Sequence, residues 1–184
     1  MCGIVGYIGD GKAKEIIIDG LKRLEYRGYD SAGIALVIDG KIETRKHVGG
    51  IENLERIIDD PCYESNIGIG HTRWATHGVP SDVNAHPHNN QDDTITVVHN
   101  GIIENYMELK EMLIRDHGVK FRSETDSEVI AQLIGVLYKG DLLDAVNQAV
   151  AMMHGAYAIG VLCSLEPDKI VAVRKDAPLV AGLG

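Results

Sequence analysis

The second residue of the chain is a cysteine. Removal of the initiator methionine, which a small second residue permits, leaves Cys2 with a thiol and a free α-amine. Their reference pKa values are about 8.5 and about 7.7–8.0, so moving the proton from sulfur to nitrogen costs about 1 kcal/mol. The amine is partly neutral near neutral pH, and one residue can then supply both nucleophile and base for acyl transfer. Direct transfer passes through a strained five-membered arrangement, so a bridging water is expected. A cysteine inside a chain is most often a small buried residue; position alone opens the second reading here. With Met1 retained, the nitrogen is locked in an amide and the base is lost.

Three other groups of residues bear on chemistry. Asn100-Gly101 closes an apolar run. The pair reads either as a turn or as an oxyanion hole, with the Asn amide and an unhindered glycine N–H aimed at developing negative charge. Arg73 and Asp126 are each unremarked surface charges when taken alone. Arg73, however, follows an apolar strand, where its fork could grip a carboxylate at two points. Asp126 stands at a predicted helix start, where a carboxylate is stabilised anyway; together the two fit a zwitterionic amino acid. Five of the eight histidines, His71, His77, His86, His88 and His99, lie between positions 71 and 99. None has the His-x-x-x-His helical spacing of zinc hydrolases and no cysteine pair is near, so hydrogen bonding and substrate contact are expected rather than metal binding. The glycines at 3, 6, 9 and 11 lack the Lys-Ser/Thr ending of a phosphate loop. No cofactor is expected.

The elements that must position these groups follow from periodicity. Gly3–Gly9 reads as a strand. Lys12–Tyr26 reads as a helix, because Ile17, Leu21 and Leu24 share one face. Ala32–Ile38 and Lys41–His47 read as strands joined by an Asp39-Gly40 hairpin turn, and Ile51–Ile58 as a short helix before Pro61. Strands are expected at Asn66–Thr72 and Thr94–His99, with a long polar loop from Arg73 to Asp93 between them. Asn105 with Glu108 and Thr125 with Glu128 resemble capping pairs at the starts of two helices. A third helix is expected over Leu142–Met153. Strands return at Ala156–Cys163 and Ile170–Val173, and again after Pro178. Strands beside strands and helices in pairs indicate α+β with antiparallel sheet rather than regular βαβ alternation.

Composition bounds the partners. The 184 residues fit one domain spanning 1–184, with 45% apolar and 24% charged residues, the balance of a globular chain. Lys and Arg number 18 against 27 Asp and Glu, a net charge of −9, which opposes general nucleic-acid binding. No run approaches the roughly 20 apolar residues of a membrane span, and the first residues lack a basic, apolar leader pattern, so no secretory signal is expected. Three scattered cysteines, Cys2, Cys62 and Cys163, suit a reducing, cytoplasmic compartment. The apolar end at Val180–Gly184 leads us to expect a domain truncated at its C-terminus and a longer parent.

Several stretches carry a family resemblance. Cys2-Gly3-Ile4-Val5-Gly6 resembles the start of the class II glutamine amidotransferases, which are N-terminal-nucleophile hydrolases. Arg23 to Gly33 (RLEYRGYDSAG), His71 to Gly78 (HTRWATHG), Asn84 to His88 (NAHPH), Val98 to Asn105 (VHNGIIEN) and Ser123 to Asp126 (SETD) are similar to the glutaminase domains of the glutamine–fructose-6-phosphate aminotransferases. The resemblance implies an αββα sandwich of two antiparallel sheets between helical layers. It implies Cys2 as nucleophile, Asn100 and the Gly101 N–H as oxyanion hole, and Arg73 on the glutamine carboxylate with Thr76 and His77 nearby. Asp126 would hold the substrate ammonium, and Trp74 would lie on the ammonia route. It further implies a sugar-phosphate isomerase domain, absent from these residues, that uses the ammonia to make glucosamine 6-phosphate in a homo-oligomeric parent. The alternatives at this point are another class II amidotransferase of purine or asparagine metabolism, and a catalytically silent glutamine-binding module.

Overall fold

Two four-stranded antiparallel sheets, each apolar on both faces, account for the burial pattern of the computed structural model, which describes residues 2–74 and 79–183. The first sheet holds β1 (Gly3–Ile8), β2 (Ser31–Ile38), β3 (Lys41–Val48) and β4 (Ile67–Arg73) in the order β1-β4-β2-β3. The second holds β5 (His88–Asn89), β6 (Ile95–Ile103), β7 (Gly155–Cys163) and β8 (Ile170–Lys175) in chain order. Helices α1 (Ala13–Lys22) and α2 (Ile51–Ile58) cover the outer face of the first sheet. Helices α3 (Tyr106–His117), α4 (Asp126–Leu137) and α5 (Leu142–Met152) cover the second. The fold is α+β, an αββα sandwich.

A sheet buried on both sides needs apolar residues at successive positions, which is why β2 reads Ser-Ala-Gly-Ile-Ala-Leu-Val-Ile. Its Ala32, Ile34 and Leu36 pack under α1 and α2 with Ile17, Leu21, Ile51 and Leu54. Its Ala35 and Val37 turn inward to meet Ile67, Ile69, Val98 and Leu162 between the sheets. Burying each of these large side chains contributes roughly 1.5–3 kcal/mol. Gly70 of β4 faces α1, where an added Cβ would lie 2.4 Å from Ile17 Cγ2; bare backbone lets the helix sit that close.

Departures from the sequence reading fall mainly at the ends of elements. β6 does not stop at His99 but runs through Asn100-Gly101 to Ile103, so that dipeptide lies inside a strand and is not a turn. The first helix ends at Lys22 and is followed by a 3-10 turn at Glu25–Arg27. Asn105 does not cap α3 through its side chain; its amide instead bonds Met152 O and His154 N at 2.9 Å each. The Thr125 capping box is half formed: Thr125 Oγ1 accepts from Glu128 N, but the Glu128 carboxylate turns to the N–H groups of Arg122 and Ser123. Among the described residues, no strand follows Pro178.

Candidate active site

Pairing of β1 with β4 places Gly3 opposite Thr72, and so brings Cys2 beside the end of β4. Cys2 Sγ accepts a hydrogen bond from Trp74 N at 3.2 Å and lies 3.5 Å from Trp74 O. Along β4 the residues facing the second sheet run Ile67, Ile69, His71, Arg73, a gradient from apolar to charged forced by the two-residue repeat. Arg73 is buried. Its guanidinium lies 3.7 Å from the Asp30 carboxylate, and its carbonyl accepts from Asp30 N at 2.7 Å. A buried guanidinium requires such a counter-charge, and Asp30 supplies it without covering the pocket side of Arg73.

The second sheet contributes from the other side. Asn100 Nδ2 reaches the Cys2 carbonyl at 3.4 Å. Gly101 has φ +120°, and a Cβ there would stand 2.1 Å from Ala156 O, so this position admits only glycine. Asp126 opens α4 and is buried; its Oδ2 accepts from Ile103 N at 2.9 Å, and the helix N-terminus favours its charge. Cys2, Arg73, Asn100, Gly101 and Asp126 thus line one cleft of about 710 Å³, which residues 176–180 close along one side. Trp74, half exposed, stands on its rim against Gly28. Thr76 and His77 lie outside the described residues.

Behind the cleft the expected polar loop is largely interior. Residues 84–88 are buried; they carry His86 against His71 of β4 and His99 of β6, and His88 to the start of α4. The His86 ring stacks on His71 with centroids 4.1 Å apart and meets His88 edge-on at 4.8 Å. His88 Nε2 lies 3.1 Å from Thr125 Oγ1, and His99 Nδ1 lies 2.8 Å from Ser127 Oγ. Burial pushes the His71 pKa down to about 3 and those of His86 and His88 well below the usual range, so all three are neutral near pH 7. Among the described residues no group of three or more His, Cys, Asp or Glu is placed to hold a metal ion.

Sequence reasoning passed over Lys46, Asp30 and Ser127. Lys46 Nζ donates to the carbonyls of Val83, Ala85 and Pro87 at 3.2, 2.6 and 3.0 Å, tying down the segment that carries His86. Burial lowers its pKa to about 8. That segment lies so close to β2 that a Cβ on Gly33 would stand 2.1 Å from His86 O. Nothing in an alternating strand distinguishes this lysine from a solvated one. Asp30 had a usable signal, since it stood in the glycine-rich Arg27–Gly33 stretch just before a strand.

Known proteins resemble this chain in sequence and fold. A sequence profile described as a glutamine amidotransferase domain matches residues 58–177. The glutamine–fructose-6-phosphate aminotransferase (isomerizing) of Clostridium perfringens is 61% identical over all of this chain, and that of Pyrococcus horikoshii is 52% identical. The chain spans 30% and 31% of the length of those relatives. Among solved structures, the glutamine phosphoribosylpyrophosphate amidotransferase of B. subtilis, complexed with ADP and GMP, matches with TM-score 0.75 at 29% identity. That match covers 89% of this chain and 35% of that one. A glutamine aminotransferase class-II domain protein from Silicibacter pomeroyi shares the fold, with TM-score 0.57 at 19% identity over 83% of this chain and 72% of that one. Among the described residues no helix is long and apolar enough to cross a membrane.

Proposed function

The chain belongs to the glutamine amidotransferase domain family, and on that premise we propose that it hydrolyses glutamine to glutamate and ammonia through a thioester on Cys2. The carrying observation is the convergence of Cys2, Asn100 and Gly101 with Arg73 and Asp126, from both sheets, on one cleft. Arg73 takes the substrate α-carboxylate and Asp126 its α-ammonium, which fixes the side-chain amide against Cys2. The Cys2 α-amine, freed by removal of Met1, accepts the thiol proton as sulfur attacks the amide carbon. Asn100 Nδ2 and the Gly101 N–H receive the negative charge on the tetrahedral oxygen. The protonated amine then gives its proton to the departing nitrogen, and ammonia leaves. Water, deprotonated by the same amine, releases glutamate and restores the thiol. Thr76 and His77 assist at the carboxylate end, and Trp74 borders the path of the ammonia.

The relatives' length and name support a parent protein in which a C-terminal sugar-phosphate isomerase domain uses this ammonia to convert fructose 6-phosphate to glucosamine 6-phosphate. Identity of 52–61% to those relatives, against 29% to a phosphoribosylpyrophosphate amidotransferase, favours that acceptor over a purine precursor. The parent is read as a cytoplasmic homo-oligomer.

Treatment with an electrophilic glutamine analogue followed by peptide mass spectrometry tests the core of this reading. Cys2 is expected to carry the adduct, and ammonia release is expected to stop. Exposed Cys62 serves as the internal control. An adduct on Cys62 with Cys2 untouched would overturn the assignment.

A further inference from the structure

The first and second sheets are joined near the cleft by one side chain that the proposed reaction does not use. His71, on β4, is fully buried, and its Nε2 lies 3.0 Å from His99 O and 2.9 Å from Asn100 Oδ1, both on β6. A carbonyl oxygen can only accept, so Nε2 carries the proton, and the ring is the Nε2–H tautomer. An Nε2–H facing Asn100 requires an acceptor there as well, which fixes the amide with its oxygen toward His71 and its NH2 toward Cys2, whose carbonyl it meets at 3.4 Å. One contact to an unambiguous acceptor thus settles both the histidine tautomer and the amide orientation.

The neighbouring ring completes the frame. β5 pairs with β6 only at Val97 and Thr96. One step further along that edge, His99 N donates to His86 Nδ1 at 3.3 Å and His99 O accepts from His71. Two stacked imidazoles, 17° from parallel, therefore take the place of a strand where β5 has ended. They hold the backbone immediately before Asn100 while leaving the cleft open.

We propose that His71 is a positioning residue that holds the Asn100 amide with its N–H groups toward the reacting oxygen. The proposal rests on Asn100 acting as an oxyanion donor. Without His71 the amide is free to rotate and present its oxygen to the developing negative charge, which repels it. His71 touches no substrate, so the loss falls on kcat and leaves KM for glutamine unchanged.

Steady-state ammonia release by the full-length protein tests this with four variants. His71→Leu is expected to lower kcat by about 10- to 100-fold, below the ceiling of about 100- to 1,000-fold for losing an oxyanion donor outright. His71→Gln, whose amide N–H reaches the same two acceptors, is expected to recover most of that loss. Asn100→Ala combined with His71→Leu is expected to be no slower than Asn100→Ala alone, because a residue acting through Asn100 has nothing left to act on. Multiplicative losses in the double variant, or a kcat unchanged in His71→Leu, overturn the proposal. Histidine 15N NMR of the unmodified protein decides the case if the Leu variant does not fold: a proton on Nε2 is expected, and a proton on Nδ1 alone overturns it. A wild-type protein that releases no ammonia sinks the glutaminase reading instead, and the tautomer measurement tells the two failures apart.

Discussion

β4 faces β6 and β7 across the space between the sheets, yet the two ends of that contact are built from different materials. At one end Ile67 and Ile69 meet Val98 and Leu162 with no polar side chain between them. At the other, His71, Arg73 and Asn100 occupy the next positions on the same faces, His71 bonded to His99 O and Asn100 near 3 Å and Arg73 ion-paired with Asp30 at 3.7 Å. Apolar packing is non-directional and sets how far apart the sheets stand. Hydrogen bonds between buried groups are directional, and leaving one unmade costs about 1–3 kcal/mol. The dry end supplies stability, and the polar end spends part of it to fix atoms on the cleft.

Substitutions should separate the two ends. Asn100→Ala is expected to lower kcat for ammonia release by about 100- to 1,000-fold, some 3–4 kcal/mol on the barrier. Its urea midpoint should move little. Ile69→Ala is expected to lose about 2–5 kcal/mol of stability, while each folded molecule turns over glutamine at the normal rate. Urea titrations and active-site-normalised kinetics on both variants check this. If Ile69→Ala slowed turnover per folded molecule as much as Asn100→Ala, the division of labour would be wrong.

Acid sharpens the same contrast, because only one end titrates. In the unfolded chain the rings of His71, His86 and His88 bind protons below about pH 6.5. Folded, they stay neutral to much lower pH, His71 to about 3. The unfolded state therefore binds more protons in this window, and stability, fully present above pH 6.5, falls as pH falls. Each ring contributes roughly 1.4 kcal/mol per pH unit. Unfolding free energies measured from pH 7 to pH 5 should steepen toward that slope as the pH falls, by about one histidine less in His88→Gln. In Ile69→Ala the curve should shift downward with its slope unchanged.

The dry end was the more legible of the two in the sequence. Ile67, Ile69, Ala35 and Val37 stand in short apolar runs that read as strands, and the Asp39-Gly40 hairpin follows from turn chemistry, with φ of 50° and 72°. The polar end was only partly legible. Cys2 stands out by position, and Arg73, Asn100 and Asp126 by residue type beside predicted element ends. The segment 84–88 read as part of a long polar loop because Asn84, His86 and His88 are polar. Its burial depends on partners far away in sequence, Lys46 across Gly33 and His71 across the sheets, which no local period encodes. Asn100-Gly101 was misplaced for a related reason: its composition signals a turn, and the nine-residue pairing of β6 with β7 overrides it.

The smallest predicted effect concerns two helix caps that are alike in chemistry and unlike in place. Thr125 Oγ1 accepts from Glu128 N at 3.2 Å at the start of α4, and Asp141 Oδ1 accepts from Asp144 N at 3.1 Å at the start of α5. Removing either side chain should cost about 1 kcal/mol of stability. Only α4 begins in the cleft, with Asp126 as its first residue, and Thr125 also touches His88. Loosening that turn should therefore weaken the grip on the substrate ammonium. If all of the cap's ~1 kcal/mol passed into binding, KM for glutamine would rise about fivefold, so Thr125→Ala is expected to raise KM by less than that while kcat holds. Thr125→Ser keeps the acceptor and should behave as wild type. Asp141→Ala should lose similar stability with KM unmoved, because α5 meets only the outer face of the second sheet and its neighbouring helix. Equal KM values in Thr125→Ala and Asp141→Ala would mean that the first turn of α4 transmits nothing to the cleft, and that the bonds from Ile103 N and Ser127 Oγ hold Asp126 without the cap.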